Sequence, residues 1–152
     1  MSKLNIGDSL PTFELPNQDE QTIISQSWLG QPVVIFFYPK DNTPGCTAEA
    51  CAFRDQFAEF RQLEAKIIGI SQDSPKSHQK FIADYSLPFD LLSDTKNTVR
   101  NQFGVKGNLF GLIPGRATYI FDAQGKLKHI FQSQLQAKQH IKEALEQLQK
   151  VS

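Results

Sequence analysis

The chain predicts an α/β fold: a central mixed sheet flanked by helices, with a β-hairpin extension at the N-terminus. Three observations carry this expectation. Residues 33–38, Val-Val-Ile-Phe-Phe-Tyr, are continuously apolar and β-branched or aromatic, as in a strand covered on both faces. Segments with apolar residues three and four apart alternate with such strands. Ala123-Gln-Gly125 lies between two extended segments near the C-terminal end, which reads as an antiparallel hairpin.

Thr12-Phe-Glu-Leu15 and Gln21-Thr-Ile-Ile-Ser25 flank the turn-forming Asn17-Gln-Asp-Glu20 and predict the N-terminal hairpin. The strand at 33–38 stops at Pro39. Over 46–63, apolar Ala50, Phe53, Phe57, Phe60 and Leu63 predict one amphipathic helix. Lys66-Ile-Ile-Gly-Ile-Ser71 is a second buried strand. Ser74 caps and Pro75 starts a helix whose apolar side holds Phe81, Ile82 and Tyr85. Asp90-Leu-Leu-Ser93 predicts a short strand, and 95–103 a helix that Gly104 terminates. After the hairpin strands at 117–122 and 126–131, residues 137–149 set Ile141, Leu145 and Leu148 on one side of an end helix. The order is β-α-β-α-β-α-β-β-α after the first hairpin. Its β-α-β and β-β-α core is the thioredoxin plan with insertions.

A length of 152 residues suits one domain spanning 1–152. Such a domain buries roughly 70% of its unfolded surface, so it needs no disulfide or metal to fold. A hydrophobic share of 39% against 21% charged argues against disorder. Sixteen basic and sixteen acidic residues cancel, which argues against nucleic acid and acidic membranes as partners. The longest apolar run is six residues, where a membrane span needs about twenty. The first residues, Met-Ser-Lys-Leu-Asn, carry no signal- or transit-peptide pattern. Two cysteines do not make a secreted scaffold, so a reducing compartment, the cytoplasm, is expected. The alternative is a chloroplast protein in processed mature form.

Chemistry concentrates in Tyr38-Pro-Lys-Asp-Asn-Thr-Pro-Gly-Cys-Thr-Ala-Glu-Ala-Cys51, where a buried strand gives way to a helix. With Thr43 as N-cap and Pro44 as first helical residue, Cys46 falls in the first turn. Unpaired backbone N–H groups and the positive end of the helix dipole would face its sulfur, an arrangement that favours a thiolate. A helix cysteine is otherwise a small packed residue; the junction bracketed by Pro39, Thr43 and Pro44 argues for the reactive one. Cys51 lies five residues on. In an intact helix that spacing gives about 140° of rotation and ~7.5 Å of rise, with Cα atoms roughly 8.7 Å apart. A disulfide needs Cα atoms within about 7 Å. The pair can bond only if the first turns of the helix unwind. Cys51 taken alone is a packed neighbour of Ala50 and Phe53.

Pro39-x-x-x-Thr43-x-x-Cys46 resembles the active-site motif of the peroxiredoxins. The C-x-x-x-x-C spacing within Pro-Gly-Cys46-Thr-Ala-Glu-Ala-Cys51-Ala-Phe-Arg-Asp resembles the peroxiredoxin Q (bacterioferritin comigratory protein) branch. Gly104-Val-x-Gly-Asn-Leu-Phe-Gly-Leu-Ile-Pro-Gly-Arg116-x-Thr-Tyr is similar to its cyanobacterial and chloroplast members. The likeness runs from about residue 6 to 148, with no departure at any motif position. It implies a thiol peroxidase without metal or organic cofactor, recycled by thioredoxin or a glutaredoxin-like reductant, and a monomer is the expected state. It implies that Cys46 is the peroxidatic nucleophile and Cys51 resolves its sulfenic acid as an intramolecular disulfide. Thr43 and Arg116 would orient peroxide and thiolate, Pro39 would shield the sulfenate from water, and Glu49 would hold the arginine.

Magnitudes favour this division of labour. An ordinary thiol is about 3% ionised at pH 7, so full ionisation gains at most roughly thirtyfold, or about 2 kcal/mol. Efficient enzymes remove about 8 kcal/mol or more, so positioning and charge stabilisation supply the remainder. Arg116, always charged, helix-start N–H groups and the Thr43 hydroxyl are the expected donors to the leaving oxygen.

The remaining features read as structure. His78, His129 and His140 have no ligand spacing, so no metal site is expected. Gly104, Gly107, Gly111 and Gly115 form no phosphate-binding motif and suggest a winding loop. Leu109, Phe110, Leu112 and Ile113 in that loop are core or an apolar rim beside the site. Lys40 and Asp41 read as solvated loop charges. A protein thiol–disulfide oxidoreductase is a second reading, which the missing C-x-x-C opposes. A redox-sensing or holdase module that opens locally is a third.

Overall fold

The computed structural model describes residues 4–105, 116–132 and 137–151. Along these the chain forms β1 (Glu14–Pro16), β2 (Thr22–Ile24), a 3-10 turn (Ser25–Trp28), β3 (Val33–Phe37), α1 (Pro44–Asp55) and α2 (Phe57–Gln62). Then come β4 (Lys66–Ser71), α3 (Pro75–Tyr85), β5 (Asp90–Ser93), α4 (Thr98–Phe103), β6 (Ala117–Phe121), β7 (Leu127–Gln132) and α5 (Ala137–Val151). The first two strands pair as the expected hairpin, and the others form one sheet in the order β5-β4-β3-β6-β7. β3 runs parallel to β4 through the α1–α2 crossover, β4 parallel to β5 through α3, and β6 and β7 antiparallel. This is the thioredoxin-like mixed sheet that the sequence predicts.

The continuous apolar run of β3 follows from its central place. All five of its residues are buried. Val34 and Phe36, with Tyr38 beyond the strand, enter the layer that holds Phe53, Phe60, Phe81, Ile141 and Leu148. Val33, Ile35 and Phe37 enter the opposite layer with Phe13, Trp28, Phe103 and Tyr119. Alternation sends successive side chains to opposite faces, so a strand covered twice has no polar position. Helix α1 joins the first layer through Phe53, whose ring stacks on Phe36 at 4.6 Å between centroids and 21° between planes.

The structure corrects two expectations and adds one element. The helix expected over 46–63 is two helices, broken at Gln56. Its apolar residues fall at three steps of three and only one of four. Around a straight helix that pattern drifts off one face, and the break returns Phe60 to full burial. The helix expected over 95–103 starts only at Thr98, because the Asp94 carboxylate accepts from the backbone N–H groups of Val99 and Arg100 and so caps it there. The 3-10 turn that buries Trp28 had no forecast. Gly104 terminates α4 at φ 76°, as expected. The loop expected around Gly107, Gly111 and Gly115, with Leu109, Phe110, Leu112 and Ile113, lies outside the described residues.

One strand position admits no side chain. A Cβ added at Gly69 in β4 would lie 2.7 Å from Leu91 Cδ2 and 2.8 Å from Phe36 Cζ. Gly69→Ala should therefore lower the unfolding free energy by about 1–3 kcal/mol through overpacking. Urea unfolding should show an earlier midpoint at unchanged slope. A midpoint equal to the parent's would mean that the Phe36 layer yields freely.

Candidate active site

The register of the sheet builds the site. Phe37 at the end of β3 pairs with Ala117 at the start of β6, so the loop from Tyr38 to Thr43 lies beside Arg116. Thr43 is extended (φ −90°, ψ 154°), Pro44 is the first helical residue, and Cys46 is the third. Cys46 is 2% exposed and Arg116 5%. The Arg116 Nη2–H group donates to Cys46 Sγ at 3.4 Å, and Nη1 donates to Glu49 Oε1 at 2.6 Å. Glu49 follows Cys46 by three residues, so both face inward from one side of α1. Between them they hold one guanidinium.

A buried guanidinium is costly unless paired. Burial works against the Arg116 charge, but the Glu49 carboxylate and the Cys46 sulfur outweigh it, and its pKa is raised. Glu49 shows the cost on the other side. Its carboxyl group is pushed up to about 7, chiefly by burial, while the Arg116 charge and hydrogen bond pull it down. Gly45 lets the arginine come this close: a Cβ there would stand 3.1 Å from Arg116 Nη2.

Thr43 occupies the cap position, but its side chain makes no capping bond. Its hydroxyl donates to the Lys40 carbonyl at 2.8 Å instead, which leaves its lone pairs for an incoming donor. Pro39 is half-buried in the same loop. Cys51 is half-buried on α1, and both cysteines are free thiols. The structure thus brings Cys46, Glu49 and Arg116 into contact, sets Thr43 and Pro39 in the adjoining loop, and holds Cys51 apart on the same helix.

Three residues around the site were missed. Arg100, from α4, is buried, donates from Nη2 to the Tyr38 carbonyl at 2.9 Å, and lies over the Phe37 ring. Burial lowers its pKa, against the pull of Asp94, Tyr119 and the Cys46 sulfur. Asp41 is a correction: it is 5% exposed and not a solvated loop charge, whereas Lys40 is exposed as expected. Its carboxylate accepts from Tyr38 Oη at 2.6 Å and Ser77 Oγ at 2.8 Å, and bonds His78 Nδ1 at 2.7 Å. Burial, then Asp41, raises the Tyr38 pKa well above the usual phenol value. The place of His78 three residues before Phe81, on the apolar side of α3, was a legible sign of its burial. Asp41, amid polar neighbours, carried none. Asp41, Asp73 and His78 bring ligand atoms together, but 2.7 Å between Nδ1 and Oδ2 is a hydrogen bond. Two ligands at zinc distances of about 2.0–2.2 Å in tetrahedral geometry stand about 3.3 Å or more apart.

The Glu49 carboxyl has a pH consequence. Its ordinary value is 4.5 and its folded value about 7, so within that window the native state keeps a proton that the unfolded chain has lost. That contribution to stability falls as pH rises through the window. Glu49→Gln lacks it, so between about pH 5 and pH 8 the variant should lose less stability than the parent. Urea midpoints at both pH values measure this; a variant that loses more would reverse the sign.

The AhpC/TSA family matches residues 6–130. The chloroplastic peroxiredoxin Q of Populus jackii is 47% identical over 148 residues, 97% of this chain and 70% of that protein. Among solved structures, peroxidoxin BcpB from Mycobacterium tuberculosis superposes with a TM-score of 0.89 at 39% identity, covering 97% of each chain. The bacterioferritin comigratory protein of Xanthomonas campestris, a structure described for its alkyl peroxide reduction activity, gives 0.84 at 29% identity over 94% of this chain and 98% of that one. With the family matched over most of its length and such relatives over nearly all of it, this chain belongs to the AhpC/TSA family, in the peroxiredoxin Q branch.

Proposed function

We propose that the chain is a thioredoxin-dependent thiol peroxidase that reduces hydrogen peroxide and organic hydroperoxides in antioxidant defence. The observation that carries this reading is the Arg116 guanidinium held against Cys46 Sγ by Glu49. The Cys46 thiolate attacks the terminal peroxide oxygen, the O–O bond breaks, and the other oxygen leaves as alkoxide or hydroxide and takes a proton. Sulfur loses two electrons and becomes a sulfenic acid; the peroxide gains them. Arg116 meets the negative charge that passes from sulfur to the leaving oxygen. Thr43 Oγ1 accepts from the peroxide O–H, and Pro39 screens the sulfenate from water.

Cys51 then attacks the sulfenic sulfur, water leaves, and a disulfide joins the two cysteines. A dithiol of the thioredoxin kind returns the two electrons. Since both cysteines lie on α1, five residues apart, the start of that helix, about 43–53, opens for the bond to form. Opening competes with further oxidation of the sulfenic acid, so a helix start that opens readily protects the enzyme from sulfinic acid. The chloroplastic relatives support a plastid setting over the cytoplasmic expectation. Among the described residues, no helix is long and apolar enough to cross a membrane.

Cys46→Ser should abolish peroxide consumption, whereas Cys51→Ser should still undergo one round of oxidation. Mass spectrometry after one equivalent of peroxide should find sulfenic acid, or its trapped adduct, on Cys46. Oxidation appearing first on Cys51 would reverse the assignment.

Arg116→Lys keeps the charge but loses the planar fork that spans sulfur and carboxylate, so it should slow peroxide reduction about tenfold or more while the fold survives. Gly45→Ala, which pushes on Nη2 with Arg116 intact, should act in the same direction. Stopped-flow rates within about twofold of the parent for both variants would remove Arg116 from the transition state.

A further inference from the structure

We infer that Asp41 and His78 form a positioning clamp on the peroxidatic loop, so that the opening of α1 hinges after Asp41 and the pocket around Cys46 re-forms in place each turnover. This rests on the thiol peroxidase reading above. Four bonds hold Asp41. Its carboxylate takes the Tyr38 hydroxyl, the Ser77 hydroxyl and His78 Nδ1, and its backbone N–H donates to Asp73 Oδ2 at 2.8 Å. Ser71 Oγ donates to the same Asp73 oxygen, and His78 Nε2 faces the Leu92 carbonyl at 3.1 Å. Asp41 is 5% exposed and His78 fully buried.

All these partners come from the end of β3, from β4 and the turn after it, from α3 and from β5. None lies in 43–53. Unwinding the start of α1 therefore breaks none of them, and Arg100 holds the Tyr38 carbonyl from α4 as well. Asn42, the next residue, is exposed and sits at φ 62°, a left-handed conformation that Asn tolerates better than most residues. There the chain turns from a fixed strand end into a releasable helix. The Thr43 hydroxyl donates across that point to the Lys40 carbonyl.

The disulfide does not need the clamp to yield. The Cα atoms of the two cysteines must close from roughly 8.7 Å to within about 7 Å. A released segment from Asn42 to Cys46 reaches about 3.3–3.6 Å per residue, several times what closure requires. The clamp thus sets where refolding of α1 begins, and with it the place of Thr43 and Cys46 against Arg116. Peroxide attack depends on that placement; disulfide formation from the opened state does not.

Hydrogen exchange on the reduced and disulfide forms of the wild-type protein, with two variants read by rapid kinetics, tests this. On oxidation, exchange should rise over 43–53 and stay low over 38–41, the Asp41 amide included, and over Val33–Phe37. Exchange rising over 38–41 together with 43–53 would overturn the clamp. Equal protection of 43–53 in both forms, with the bond confirmed, would instead overturn the opening in the parent reading, and the kinetics then decide the clamp. Asp41→Asn should slow Cys46 oxidation by peroxide about tenfold or more. The milder Ser77→Ala, which removes one bond and spares the fold if the first variant does not fold, should slow it about threefold. In both, the later first-order formation of the disulfide should stay within about twofold of wild type. An unchanged oxidation rate in both variants, or a parallel fall in both steps with exchange raised throughout the protein, refutes the positioning role.

Discussion

The contact between Arg116 and the two α1 residues, Cys46 and Glu49, depends on a single pairing, that of β3 with β6. Because Phe37 pairs with Ala117, the residue before β6 stands beside the residue after β3. The helix that follows β3 begins there, so its first turn and the arginine share one buried corner. A parallel neighbour in place of β6 would bring the other end of a strand to that corner, and its first residue would lie far from the cysteine. The antiparallel half of the mixed sheet is thus the part that brings Arg116 to Cys46.

That corner is electrostatically expensive, and the surrounding structure reflects it. A guanidinium, a carboxyl and a thiol share a space that admits almost no water. Paired, the arginine is stabilised; Glu49, with its carboxyl held near 7, bears part of the desolvation cost. Arg100 adds a second buried cation at the Tyr38 carbonyl, with its own carboxylate, Asp94, acting on it. The polar groups beyond, from Tyr38 to Asp41 and His78, lie at the ends of β3, β4 and β5, where strands hand over to helices. Such ends expose backbone and side-chain polar groups that must find partners inside the protein. The cluster meets that need and ties the loop to α3.

The same arrangement separates what is rigid from what can open. Phe53 stacks α1 on Phe36 in the closed helix, and Asp41 anchors the loop before it. Both cysteines lie after Asp41, on the helix. In the proposed cycle, peroxide attack at Cys46 uses the closed helix, and a bond to Cys51 needs the open one.

How much of this was legible in the sequence differs by kind. The strands, the hairpins, the cap at Ser74 and the stop at Gly104 are written in short-range patterns. Burial of a whole strand, a fixed φ or a turn leaves a mark within a few residues. Cys46, Thr43, Pro39 and Cys51 were visible as a local motif at a strand–helix junction, and the i, i+5 spacing alone dictated that the cysteines cannot bond within an intact helix. The burial of Asp41, its bond to His78 and the position of Arg100 left little or no local trace. Each depends on what another element brings to that point. An aspartate in Lys-Asp-Asn reads as solvated until α3 is laid over it, because three of its four partners, Asp73, Ser77 and His78, are more than thirty residues away. Glu49 and Arg116 were named through resemblance, yet only the register of β3 and β6 makes them a pair. Sequence by itself determined most of the elements and singled out Cys46 as the candidate thiol; the tertiary structure decided which charges share its pocket, because buried electrostatics is a property of distances between elements.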